Sequence, residues 1–166
     1  MRTIRKALAL AWLTASALWV GLLAPVAHAA TTSNFQFMEH GDYTCTTQDC
    51  SAFTEDGVVN QGTFGTMKYT DAGFVTGGPD GNGCFTQVIT YTFATQKPKG
   101  SSLTLYTPEN VFCPTSDPNV FSVTASFVIL AGTGEFAGAT GQGTISIVFK
   151  SHPQTAVGLF TGTITY

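Results

Sequence analysis

The sequence predicts an all-β protein, folded as a single antiparallel closed barrel of about eight strands. Three observations support this prediction. All thirteen phenylalanines lie after residue 29, and glycine is abundant whereas charged residues make up only 10% of the chain. Apolar and polar side chains alternate along several segments, as they do in strands that bury one face. No segment keeps a helical apolar period long enough for a substantial helix.

The alternation can be followed along the chain. Residues 34–39 begin it with Phe35 and Phe37, and residues 85–95 continue it with Phe85, Gln87, Ile89, Tyr91 and Phe93 on one face. Three later segments at 121–129, 144–150 and 156–166 repeat the pattern. Turn-forming residues between the strands indicate turns at 55–57, 77–83, 97–100, 114–118 and 151–153. A sandwich would also fit this spacing, but we favour the barrel because closure pairs the last strand with a neighbour.

Residues 1–29 have the layout of a secretory signal peptide. Basic residues precede an apolar run at 7–26, and Ala27, His28 and Ala29 form a small-residue cleavage pattern. A membrane anchor is the alternative, but polar residues and Pro25 interrupt the run and no basic cluster follows it. We therefore expect a secreted protein with no stable membrane anchor, whose β-barrel domain spans residues 30–166.

The chain after residue 29 is acidic. It contains all ten aspartates and glutamates but only four lysines and no arginine. Binding to nucleic acid or to an anionic membrane requires clustered positive charge, so neither partner is predicted.

Four cysteines, at positions 45, 50, 84 and 113, follow the predicted cleavage site. In an exported chain an even number of cysteines indicates disulfides. Of the three possible pairings we favour Cys45 with Cys50 and Cys84 with Cys113, because the first two lie close together in the chain. A four-thiolate zinc site is the alternative, but the spacing lacks paired C-x-x-C motifs. No metal site and no cofactor are predicted.

The most specific motif lies near the C-terminal end, in residues 132–143, and reads Gly-Thr-Gly-Glu-Phe-Ala-Gly-Ala-Thr-Gly-Gln-Gly. It resembles the G-T-G-x-F-x-x-A-x-G signature of plant dirigent proteins and the wider allene oxide cyclase-like barrel family. The matching residues are Gly132, Thr133, Gly134, Phe136, Ala139 and Gly141. Physically, the motif indicates a tight turn followed by a short strand that holds Phe136 in the core. A phosphate-binding loop is disfavoured, because the glycine spacing differs and no helix follows.

The resemblance implies an eight-stranded barrel whose pocket holds a reactive organic molecule and controls its cyclisation or coupling. Dirigent pockets combine carboxylates with arginine, which is absent here after residue 29, so their chemistry is not transferred. Only His40 and His152 remain as histidines in this part of the chain, and the G-x-S-x-G and H-E-x-x-H motifs are absent. An isomerase or cyclase is therefore favoured over a hydrolase if the protein is an enzyme.

Three polar residues share faces with predicted inward residues: Glu39, Gln87 and Tyr91. A carboxylate in an apolar lumen would have a raised pKa and could act as a general acid or base. The alternatives are that Glu39 faces water at a strand end and that Gln87 and Tyr91 make structural hydrogen bonds. Two functional hypotheses remain. The barrel binds a small apolar molecule and guides its cyclisation or coupling, or it is a non-catalytic binding, interaction or structural protein with a filled barrel.

Overall fold

A computed structural model of the chain describes residues 30–97 and 99–166, so the predicted signal peptide at 1–29 lies outside the described residues. The described chain forms a closed barrel of eight antiparallel strands, each paired with the next. The strands are β1 (Thr32–Cys45), β2 (Ala52–Gly62), β3 (Met67–Gly77), β4 (Phe85–Thr95), β5 (Ser102–Pro114), β6 (Val120–Thr133), β7 (Thr140–Ser151) and β8 (Gln154–Thr165). The predicted fold class is thus confirmed.

The barrel is closed by pairing between β1 and β8. Their register extends from Thr32 opposite Thr165 to Asp42 opposite Thr155. Closure leaves no strand of the barrel with an unpaired edge. Each strand alternates buried and exposed residues, as predicted from the two-residue period.

One predicted turn is wrong. Residues 55–57 lie inside β2, where Glu55 pairs with Tyr43 on one side and Asp71 on the other. The acidic and glycine residues resemble a turn locally, but Glu55 is in phase with buried Phe53 and Val59. Pairing with two neighbouring strands therefore decides the conformation of this segment.

The glycine-rich motif also differs from its prediction in one respect. Residues Gly134–Phe136 form a short 3-10 helix instead of a strand, although Phe136 is buried as predicted. Gly134 has a φ of 60°, in the left-handed region that favours glycine. The ring of Phe136 packs edge-on against that of Phe64, with 5.1 Å between centroids. The motif therefore closes one end of the barrel.

The interior at this closed end is filled by aromatic rings. Phe37 lies 4.8 Å from Phe93 and 4.8 Å from Phe160, measured between ring centroids. Phe35 and Phe127 extend this cluster toward the closed end. Close-packed rings of this kind leave little space for a ligand in this half of the barrel.

Two disulfides link Cys45 to Cys50 and Cys84 to Cys113, which is the favoured pairing. Both lie at the end of the barrel opposite to Phe136. Such bonds are typical of proteins in oxidising compartments. In the described part of the chain, no helix has the length and apolar character needed to cross a membrane.

Candidate functional site

An open cavity of about 880 Å³ occupies the end of the barrel that carries the disulfides. This volume lies within the range of small-molecule sites in proteins, which is roughly 300 to 1,000 Å³. Six aromatic side chains line it: Tyr43, Phe53, Phe85, Phe112, Phe121 and Phe149. The lumen is therefore filled at one end and hollow at the other.

The aromatic lining forms two groups of rings. Tyr43, Phe53 and Phe149 pack edge to face, with centroids 5.9 to 6.3 Å apart, on strands β1, β2 and β7. The second group comprises Phe85, Phe112 and Phe121 on β4, β5 and β6. Because these two sets of strands lie on different sides of the barrel, the cavity has an aromatic wall on each side.

Polar lining residues differ in their depth. Asp49, His152 and Gln154 are exposed at the rim. Hydrogen bonds from Ser51 lower the pKa of Asp49. Gln87, by contrast, is a buried polar side chain on the cavity lining, and its Nε2 has no hydrogen-bond partner. An unpartnered buried amide nitrogen is costly, so the position favours a ligand acceptor.

The cavity wall is irregular beside Gln87, where the pairing of β4 with β5 changes register. Pro108 has no backbone N–H, and the pairing of β5 with β4 shifts between Gln87 and Ile89. The hydroxyl of Thr107 accepts a hydrogen bond from the Ile89 N–H at 3.1 Å and donates one to the Ile89 carbonyl at 3.0 Å. It also accepts from Nδ2 of Asn110 at 2.7 Å, which leaves Oδ1 of Asn110 without a partner.

A cluster of buried acidic and phenolic groups lies deeper in the lumen, between the cavity and the packed end. Its members are Glu39 on β1, Glu55 on β2, Tyr69 and Asp71 on β3, and Tyr91 on β4. We call these five residues the carboxyl cluster. Glu55 lies opposite Asp71, and Asp71 lies opposite Tyr91, so the three form a row across neighbouring strands.

Inward-facing glycines provide the space for the carboxyl cluster. A Cβ at Gly41 would collide with the Tyr69 hydroxyl and approach the Glu55 carboxylate, and a Cβ at Gly158 would collide with Glu39. The Tyr69 ring lies over Gly57 for the same reason. Three residues without side chains thus accommodate several large polar groups within an eight-stranded barrel.

Glu55 is the acceptor at the centre of the cluster. The Tyr69 hydroxyl donates a hydrogen bond to Oε1 of Glu55. Burial raises the pKa of Glu39 well above its usual value, and the charge of Glu55 raises it further, while the Tyr69 hydroxyl opposes the shift. Burial and then the charges of Glu55 and Glu39 also raise the pKa of Asp71. Two carboxyls therefore favour the protonated form.

Protonation explains the bonding of these carboxyls. As carboxylates, Glu39 and Asp71 accept no well-formed hydrogen bond on any of their four oxygens. As carboxylic acids, both can donate a hydrogen bond to Glu55. Burial raises the pKa of Glu55, but the hydrogen bonds that it accepts from Tyr69, Glu39 and Asp71 oppose this rise. Burial therefore favours the protonated forms of Glu39 and Asp71, and the hydrogen bonds to Glu55 favour ionisation of Glu55 over that of the other two.

An aromatic layer separates the cluster from the cavity. The ring of Phe53 lies over Gly73, in the space above Asp71, and it also lines the cavity. Tyr43 lines the cavity and lies opposite Glu55. Burial raises the pKa of the Tyr43 hydroxyl, and the charge of Glu55 raises it further. The cluster thus lies immediately behind the Tyr43 and Phe53 wall.

The three candidate residues have different positions. Glu39 lies in the middle of β1 with 0% of its surface exposed, so it does not face water at a strand end, and it is not part of the cavity lining. Tyr91 is also fully buried and belongs to the cluster, and its hydroxyl has no partner. Gln87 is the candidate that lines the cavity.

Sequence reasoning missed Glu55, Tyr69 and Asp71. Each is in phase with buried apolar residues of its own strand, and that phase was the available signal. Among the described residues, no group of three acidic, histidine or cysteine side chains is arranged to hold a metal ion.

Comparison of the chain with protein-family models, with curated proteins and with solved structures finds no match. The resemblance of residues 132–141 to dirigent and allene oxide cyclase-like proteins therefore stays a prediction.

Proposed function

We propose that this protein is exported and binds a small, largely apolar organic molecule in the open half of its barrel. The observation that carries this proposal is the cavity of about 880 Å³ with six aromatic side chains in its lining. Burial of apolar ligand surface against such walls contributes about 25 cal/mol per Å² before the costs of association. The two disulfides and the layout of residues 1–29 support export.

Gln87 would orient the ligand. Its buried amide lies on the lining between aromatic walls, where a ligand oxygen would satisfy the unpartnered Nε2. A molecule with an apolar body and a carbonyl or hydroxyl oxygen fits this arrangement. Guidance of cyclisation or coupling, as the family resemblance implies, would be an extension of this binding role.

The alternative of a barrel that is filled throughout is less well supported. Phenylalanine rings fill only the end near Phe136, whereas the disulfide end is hollow. A purely structural barrel of this size would be stabilised by filling both halves.

The test is a fluorescence titration with N-phenylnaphthylamine, an uncharged apolar dye that becomes emissive in apolar sites. We expect saturable binding to the wild-type protein. Val75→Trp, on the cavity lining, should weaken it by about tenfold or more, because the indole fills the cavity. Val157→Trp, on an exposed position of β8, is the matched control and should leave binding unchanged. Absence of saturable binding, or equal effects of the two variants, would refute the proposal.

A further inference from the structure

The inner surface of the described barrel carries acidic groups without a matching cation. All described lysines and both described histidines are exposed. The titratable side chains that face Glu39 come from β2, β3 and β4, and they are Glu55, Tyr69, Asp71 and Tyr91. The charge of Glu55 also acts on Tyr43, on β1, and the charge of Asp42, on the outer face of β1, acts on Glu55. The described inward residues of β5 to β8 add no titratable group.

Glu39 and Asp71 each lie within hydrogen-bond reach of Glu55, so the three carboxyls cannot all ionise while they remain dry. Like charges at such separations repel strongly in a medium of low dielectric constant, and burial already disfavours each charge. A second carboxylate in this cluster therefore requires water. The packed rings of Phe37, Phe93 and Phe160 block access from the closed end.

The shortest route by which water can reach the carboxyl cluster begins in the cavity. Tyr43 and Phe53 form the cavity wall next to the cluster, and the Phe53 ring fills the space beside Gly73. Hydration of the cluster must displace that wall. A ligand in the cavity holds the same wall in place and excludes the same water.

From this geometry we propose that the carboxyl cluster makes ligand binding pH-dependent: the cavity holds its ligand while the cluster keeps its protons and releases it when the cluster ionises. The proposal rests on the proposed binding function and adds its regulation. Because ligand and ionisation exclude each other, binding is linked to proton uptake. Each proton taken up on binding raises the dissociation constant by about tenfold per pH unit.

The experiment repeats the N-phenylnaphthylamine titration from about pH 5 to about pH 9, a range that lies above the usual carboxyl pKa of about 4. The dye carries no charge in this range, so its own ionisation does not contribute. We expect the dissociation constant of the wild-type protein to rise by about tenfold or more. In Glu39→Gln/Asp71→Asn, whose amides cannot ionise, the dissociation constant should change little with pH. Glu135→Gln, an exposed position near the closed end, is the control and should keep the wild-type pH dependence.

A second measurement does not depend on any variant. Calorimetric titration of the wild-type protein with the dye, in two buffers of different ionisation enthalpy, counts the protons taken up on binding. Uptake of a fraction of a proton or more supports the proposal. Saturable binding with no proton uptake and a constant dissociation constant overturns the pH dependence but not the binding function. Absence of saturable binding at every pH overturns the binding function itself.

Discussion

Phe53 offers the sharpest test of how the cavity and the carboxyl cluster are separated. Its ring contacts those of Tyr43 and Phe149 edge to face, each at 6.3 Å, and lies over Gly73. Replacement of a buried phenylalanine by alanine costs 3 to 5 kcal/mol in typical cores. Because one side of this ring borders the cavity, we expect Phe53→Ala to cost about 3 kcal/mol, which includes two aromatic pairs of about 1 kcal/mol each.

Urea unfolding monitored by circular dichroism measures this loss, and thermal unfolding should show a fall in Tm of about 10 °C. Phe74→Ala is the matched control, since Phe74 follows Gly73 on β3 but is 56% exposed on the outer face. The control should cost less than about 1 kcal/mol. Equal losses for the two variants, or a loss below about 1 kcal/mol for Phe53→Ala, would show that the Phe53 ring does not form a packed wall.

Two further substitutions test the buried acids and the disulfides. Glu39→Gln should stabilise the protein above about pH 6. The pKa of Glu39 is higher in the folded protein than its value of about 4.3 in the unfolded chain, so the stability of the wild type falls as the pH rises above about 4.3. The amide of the variant does not titrate and avoids this loss. At about pH 3, the free energies of unfolding of the wild type and the variant, measured in urea, should agree within about 1 kcal/mol. A variant that is less stable than the wild type at every pH would contradict the raised pKa of Glu39. Removal of the Cys84 to Cys113 bond, which spans 29 residues, should cost about 3.6 kcal/mol, against about 2 kcal/mol for the Cys45 to Cys50 bond, which spans 5. Calorimetric unfolding of the two double-alanine variants checks the order, and the reverse order would contradict the loop-length argument.

Features that depend on local periodicity could be predicted from the sequence. The segment 85–95 coincides with β4, and the inward residues of β6 and β7 match their predicted faces. Strand alternation needs only the two-residue period and a buried face, both of which are visible in the chain. The disulfide pairing could also be predicted from the chain itself, because Cys45 and Cys50 lie close together in the sequence.

The carboxyl cluster could not be found in this way, because its members come from separate strands. Glu55 stands in a Glu-Asp-Gly segment that looks like a turn, and Asp71 follows a threonine in a polar stretch. Only the register places Glu55 opposite Asp71, and only the folded barrel brings Glu39 close to Glu55. The irregular pairing around Thr107 and Asn110 is equally a property of two strands together.

The glycines give a physical link between the acids and the barrel interior. An eight-stranded barrel has room for roughly one layer of side chains at each level, so a glutamate or tyrosine that points inward requires a small residue on a neighbouring strand. Gly57 meets that requirement for Tyr69, Gly41 for Glu55 and Gly158 for Glu39. Glycines can also serve as bends in strongly curved strands, but here a side chain occupies the space beside each of these three. An inward acid in phase with apolar residues, together with inward glycines on adjacent strands, therefore indicates a buried polar layer, even where the local sequence resembles a turn.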